Sequence, residues 1–268
     1  GKEMNILELS REDRFEYLKK NSKALITLKK ASIKTADCVV SNPMLIKSEG
    51  ADKAAGEEGA YEIAANTCMY IDDQMDALAP GAATKSISEN LKRGTIYFLK
   101  NHARTTDSII GRLKDAYYKQ FPLSSLGYDA EGMADVLTIV GEPDEELDAK
   151  TYGLYKKGFV KQHSIGLQYV KIELAVDDPT NAQGYKTWQA HYDEIINKDV
   201  ADRYGFFFYV SEFKLFELSA VLWGSNDLTG IIEPGKTTQE DSRKSTIDKS
   251  EFQTIFSNQL KQLWTKTN

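Results

Sequence analysis

A serine hydroxyl is a poor nucleophile at neutral pH until an imidazole accepts its proton as it attacks a carbonyl. The chain has only three histidines, so few bases are available. Two residues of the right chemistry sit inside strand-like runs: His102, in Phe98-Leu-Lys-Asn-His102-Ala-Arg, and Ser164, in Gln162-His-Ser164-Ile-Gly166-Leu. Alternate side chains of a strand face opposite ways. Ile165, Leu167 and Tyr169 therefore share a buried face, while Ser164, Gly166 and Gln168 share the other. Ser164 is expected to lean away from the core, on an open face where Gly166 leaves room. His163 points the opposite way, which makes it a poor base for Ser164 and a better hydrogen-bonded histidine at the core edge.

The run around Leu218 follows the same logic. Phe216, Leu218, Ala220 and Leu222 form an apolar face, with Leu215, Glu217, Ser219 and Val221 opposite. A carboxylate among aromatic and aliphatic residues is costly to bury without a partner. Glu217 is either on a solvated sheet face, in a salt bridge, or beside an imidazole that becomes charged.

These residues need strands to position them, and the chain supplies them. Ile96 to Leu99, Ile109 to Tyr118 and Met133 to Val140 are rich in β-branched and aromatic residues, as are Ala24 to Leu28 and Asp37 to Val40. Helices are expected at Ser10 to Asn21, capped by Ser10 with Asp13 three residues on, after Pro80, and from Glu145 to about Lys157 with Gly158 as its C-terminal cap. A stretch at 177–205 opens with the turn-like Asp177-Asp-Pro-Thr-Asn and continues in a helical pattern through Trp188, Tyr192, Ile195, Ile196 and Val200. Residues 47–60 read as a glycine-bearing polar loop, and residues 231–249 as a linker. Ser250 to Thr265 forms an amphipathic helix, either docked on the core or facing a partner. A single domain over 1–230 is expected, mainly β with α.

The 268 residues hold ample material for a core, at 41% hydrophobic and 28% charged. A net charge of −6 argues against nucleic acid as the main partner, because phosphate binding wants a basic face. No apolar run approaches the roughly 18–20 residues of a membrane span, and the first residues lack the apolar core of a signal peptide. Cys38 and Cys68 are in no CxxC pattern and are expected as reduced thiols. No His/Cys cluster has zinc spacing, so neither metal nor cofactor is expected.

Four segments, in order, resemble the prohead (capsid maturation) protease family of tailed bacteriophages, the group typified by phage HK97. Asp76-Ala-Leu-Ala-Pro-Gly-Ala-Ala-Thr-Lys-Ser-Ile is similar to its "D…PGAF…SL" block, with Ala83 in place of the aromatic. Phe98-Leu-Lys-Asn-His102, with Ile110-Gly-Arg112 after it, resembles the "LxxH…GR" block that holds the catalytic histidine. His163-Ser164-Ile-Gly-Leu resembles the "SIGF" block that holds the catalytic serine. Glu212 to Asn226 resembles the "LWEISLVTFPAN" block, although it ends Trp223-Gly-Ser-Asn226. The likeness covers about residues 65–226.

The resemblance implies a compact antiparallel β-barrel of the herpesvirus-protease type, edged by helices, with 177–205 as an insertion. It implies a serine endopeptidase that cuts scaffold and major capsid protein inside the assembling procapsid, in the host cytoplasm, as a homodimer. Ser164 would be the nucleophile, His102 the general base and Glu217 the third member. His191 competes with Glu217, because the related herpesvirus enzymes use a second histidine. Arg112 either stabilises its strand or lines the cleft, and a turn near Gly224 to Asn226 is the expected oxyanion site. The rival expectation is an assembly or scaffold protein that keeps this fold without activity. A third is a ligand-binding barrel with an enclosed apolar cavity.

Overall fold

The structure, a computed structural model, describes residues 6–37, 59–126 and 128–221, with the backbone alone for 35–37. The expected linker at 231–249, the helix at 250–268 and the turn at 224–226 lie outside the described residues, as does most of the 47–60 loop.

The architecture is mixed α/β, built on a strongly curled half-barrel sheet with several helices. The strands are β1 (Lys34–Asp37), β2 (Tyr61–Thr67), β3 (Asp76–Leu78), β4 (Tyr97–Lys100), β5 (Ile109–Pro122), β6 (Met133–Pro143), β7 (Gln162–Val176) and β8 (Phe206–Val221). They run in the spatial order β1-β7-β8-β4-β5-β6-β2. On the edge of β8 away from β7, β3 pairs with Phe208 to Val210 and β4 with Glu217 to Ala220, both parallel. The sheet is therefore mostly antiparallel, with two short parallel pairings at β8. The last strand of the described chain enters between β7 and β4 and must run with one of them.

The long strands curl because they are bulged. The β7–β8 ladder shifts register three times, first between Gly166 and Leu167. A bulge adds a residue to one strand, so side-chain parity flips across it. Glu217 pairs with Gly166, but Leu215 pairs with Leu167. Leu215 thus joins Leu167 and Leu218 in the main core rather than the face of Glu217, and Phe216 is half-buried. The core sits inside the curl, with Phe98, Ile139, Ile165, Phe206, Phe208 and Val210 sealed from solvent.

The helices are α1 (Arg11–Ala31), α2 (Thr84–Asn90), α3 (Ala149–Lys156), α4 (Ala182–His191) and α5 (Lys198–Tyr204). The expected short helix and the strand at Ala24 to Leu28 are one helix of 21 residues, α1. Its start is as expected: the Ser10 hydroxyl accepts the Asp13 N–H at 3.1 Å. Its buried stripe is Arg14, Leu18, Leu25 and Lys29, at helical spacing. Two of those four are cationic, which hides the period from a hydrophobicity reading. The cap of α3 also holds, with Gly158 at φ +71°, a left-handed turn that glycine adopts freely. The 177–205 stretch folds as α4 and α5, and α4 packs on β7.

A buried ionic cluster fastens α1 and β1 to the sheet. Lys29 Nζ lies 2.7 Å from Asp76 Oδ1, and Lys34 Nζ lies 2.5 Å from Asp76 Oδ2 and also pairs with Asp72. The Tyr169 hydroxyl donates to Asp76 as well. Two ammoniums against two carboxylates leave no net charge in a site where Asp76 is fully buried. Burial opposes the charge on Asp76, but Lys29 and Lys34 outweigh it and hold the carboxyl below its ordinary range. Burial likewise opposes the Lys34 charge, and Asp72 and Asp76 outweigh it and hold the ammonium well above its ordinary value.

Candidate functional site

Three adjacent strands, β7, β8 and β4, carry the expected site residues. Ser164 on β7 lies directly opposite Ser219 on β8, and Gly166 lies opposite Glu217. Directly opposed residues point to the same side of a sheet. So Ser164, Gly166, Glu217 and Ser219 share one face, while His163 and Ile165 share the other with Ala220 and Leu218. The alternation read from the sequence therefore holds through this part of both strands.

His102 arrives from β4, whose residues Tyr97 and Leu99 pair with Glu217 and Ser219. Just past the strand, Asn101 and His102 both take φ of 54°. The Ala103 N–H returns to the Lys100 carbonyl at 3.1 Å, closing a tight turn with two left-handed central residues. A left-handed histidine is uncommon and costs about 1 kcal/mol or more. The turn is held on both sides: the Asn101 N–H donates to the Ala220 carbonyl at 2.9 Å, and the His102 N–H donates to Ser219 Oγ at 3.2 Å.

The imidazole then meets Glu217, with His102 Nδ1 3.0 Å from Oε1. The other carboxylate oxygen, Oε2, accepts from the Ser219 hydroxyl. An ionised carboxylate only accepts, so Nδ1 carries a proton, and in the neutral ring the lone pair falls to Nε2. Burial would raise the Glu217 carboxyl. Hydrogen bonds from His102 and Ser219, with the charges of His102 and Arg104, more than offset this and hold it below its ordinary value. Gly166 makes this possible, because a Cβ there would lie 2.5 Å from Glu217 Cγ and Oε1.

The structure thus joins His102, Glu217 and Ser219 in one hydrogen-bonded unit, with Ser164 the strand partner of Ser219. One expectation changes. Ser164 has no exposed surface, and Glu217 is 3% exposed. Ser164 is closed off rather than open, with β1 paired along the outer edge of β7 and Glu217 lying against Gly166. The His102 side chain, 25% exposed, is the part of the unit that reaches solvent.

His191 is not brought to this unit. It stacks on Tyr209 at 3.6 Å, at the other end of β8, and meets Glu194 at 3.2 Å. His163 lies behind the site, its Nε2 2.7 Å from the Tyr155 hydroxyl. Burial pushes its pKa down to about 3, which keeps it neutral at pH 7. Arg112 pairs across the ladder with Glu142 at 3.3 Å and is largely exposed, so it serves its strand. Near the His102 turn, Lys100 bonds Asp148, the cap of α3, and ties that helix to the end of β4.

Sequence reasoning missed the role of Ser219, although it placed Ser219 on the face of Glu217. The available signal was the i, i+2 pair Glu217/Ser219 in a strand, which puts a hydroxyl beside a carboxylate. Among the described residues, no group of three metal-ligating side chains gathers, and no helix is long and apolar enough to cross a membrane. Comparison with family models, with curated proteins and with solved structures gives no match.

Proposed function

We propose that the chain is a serine endopeptidase of the prohead-protease type, with a barrel related to that of the herpesvirus assembly protease. The observation that carries this reading is the His102–Glu217 hydrogen bond, set one strand over from Ser164. Glu217 holds Nδ1 and offsets the positive charge that forms on the ring. Nε2 takes the proton of Ser164 as Oγ attacks a peptide carbonyl. The proton passes to the leaving amine, and water activated by the same imidazole hydrolyses the acyl-enzyme. The substrates, scaffold and major capsid protein within a procapsid in the host cytoplasm, and the homodimer rest on the resemblance of the four sequence blocks.

One observation favours a second reading. Ser164 is fully buried, which suits an assembly or scaffold protein that keeps the fold and cleaves nothing. A single experiment separates the two. The chain is treated with a fluorophosphonate, which modifies an activated serine covalently, and digested for mass spectrometry. It is also co-expressed with a tailed-phage major capsid-protein precursor, and the fragments are mapped. Modification at Ser164, together with precursor cleavage lost in Ser164→Ala, supports the protease. An unmodified Ser164 and an uncut precursor support the assembly protein.

A further inference from the structure

We propose that Ser219 is a positioning residue that sets both the tautomer and the placement of the His102 ring. The inference deepens the protease reading and rests on it for its kinetic arm. A hydroxyl buried in a strand, like that of Thr138 with the Val136 carbonyl, can satisfy itself on its own backbone. Ser219 instead spends its donor on Glu217 Oε2 and its acceptor on the His102 N–H at 3.2 Å. The Glu217 carboxylate and the His102 backbone thus converge on one oxygen.

Each contact restrains a different freedom. A carboxylate held at Oε1 alone can swivel about its last torsion, which is broad. With Oε2 also held, the plane of Glu217 is fixed, and Oε1 stays aimed at Nδ1. The His102 N–H belongs to a residue at φ 54°, beyond the last paired residue of β4. Without an acceptor at Ser219, that buried-side donor loses its partner and the left-handed turn loses a restraint. Ser219 touches no reacting atom; it acts through Glu217 and the His102 turn.

The test uses the full chain with Ser219→Ala, Ser219→Thr and Ser219→Cys. Nitrogen-15 histidine NMR reads the tautomer of each imidazole, with His102→Gln assigning the signal. In the native chain His102 is expected as the Nδ1–H tautomer. In Ser219→Ala it becomes a mixture, and kcat falls by on the order of tenfold to a hundredfold with KM within about twofold. Ser219→Thr, which keeps the hydroxyl, restores both. Ser219→Cys, nearly the same size but a weak donor, behaves like Ser219→Ala and covers the case in which the alanine variant does not fold. A single Nδ1–H tautomer and native kcat in Ser219→Ala or Ser219→Cys overturn the proposal, leaving Ser219 as core filling. If the native chain cleaves nothing, the protease reading falls, and the tautomer in the two variants still decides the role of Ser219.

Discussion

Two buried carboxylates on this sheet have opposite fates. Asp76 is held by two lysines and a tyrosine, all sealed, and its charge is cancelled within the cluster. Glu217 is held by a serine and by a histidine that reaches solvent. Both carboxyls lie below their ordinary pKa range, so depressed acidity does not tell them apart. The difference lies in what the partner can do next. The ammoniums around Asp76 are committed to their carboxylate partners and lie out of reach of solvent. The imidazole on Glu217, in its neutral form, has a lone pair on its other nitrogen. A closed cluster fixes structure, whereas a cluster with one open, titratable member can do chemistry.

Substitutions can break that contrast. The largest effect is expected at the proposed catalytic pair: on the protease reading, Ser164→Ala or His102→Ala should lower precursor cleavage by a factor on the order of 10⁶, with the fold intact by circular dichroism. Native-like turnover in either variant would break the catalytic half of the comparison.

At the closed cluster, Asp76→Asn removes the charge that answers two buried lysines. It should cost about 3–5 kcal/mol in urea unfolding. A depressed carboxyl contributes stability that is fully present above its ordinary, unfolded-state pKa and is lost as pH falls through the folded value. The native chain should therefore weaken in acid, and Asp76→Asn should weaken less steeply. A cost under about 1 kcal/mol would mean that the cluster relaxes or takes up water, contrary to a sealed site.

Gly166→Ala tests the room made for Glu217. The added methyl must displace a side chain pinned at both oxygens, so stability should fall by about 1–3 kcal/mol and the His102 tautomer should become mixed. A native His102 signal in this variant would show that Glu217 has slack.

His163 extends the contrast to the other face of β7. Its pKa of about 3 lies below that of an unfolded histidine near 6.5. The unfolded chain then binds the extra proton, so this contribution is full above about pH 6.5 and falls by about 1.4 kcal/mol per unit as pH drops from there towards 3. His163→Gln should remove that slope from denaturation curves over pH 4–6, and an unchanged slope would assign it to another group. The smallest effect belongs to Arg112→Ala, which loses an exposed pair and should change stability by no more than about 0.5 kcal/mol, with cleavage unaltered.

Much of the site could be read along the chain because strand parity is local. Ser164 and His163 diverge, and Glu217 and Ser219 converge, for the same reason: a pleated strand turns each side chain by half a circle. The helix ends at Ser10 and Gly158 were legible too, since capping is settled by a few neighbouring residues. The misreadings mark where distant parts decide. Helix α1 buries Arg14 and Lys29, and distant partners make such a stripe stable: Asp76 and the Gln74 carbonyl for Lys29, and the carbonyls of Ile6, Leu7, Leu9 and Tyr204 for Arg14. Leu215 changed faces because of a bulge whose cause lies in pairing with β7.

By itself, then, the sequence determined which residue types could do chemistry, the faces of their strands and the order of their motifs. All of these follow from covalent geometry and near neighbours. Tertiary structure alone decided the rest. It placed β8 between β7 and β4, so that Glu217 meets His102 from a distant part of the chain, and it sent His191 to the other end of the sheet. It also closed off Ser164. Each of these depends on which strands pair and in what register, and the pairing follows from packing of the whole core rather than from any one segment.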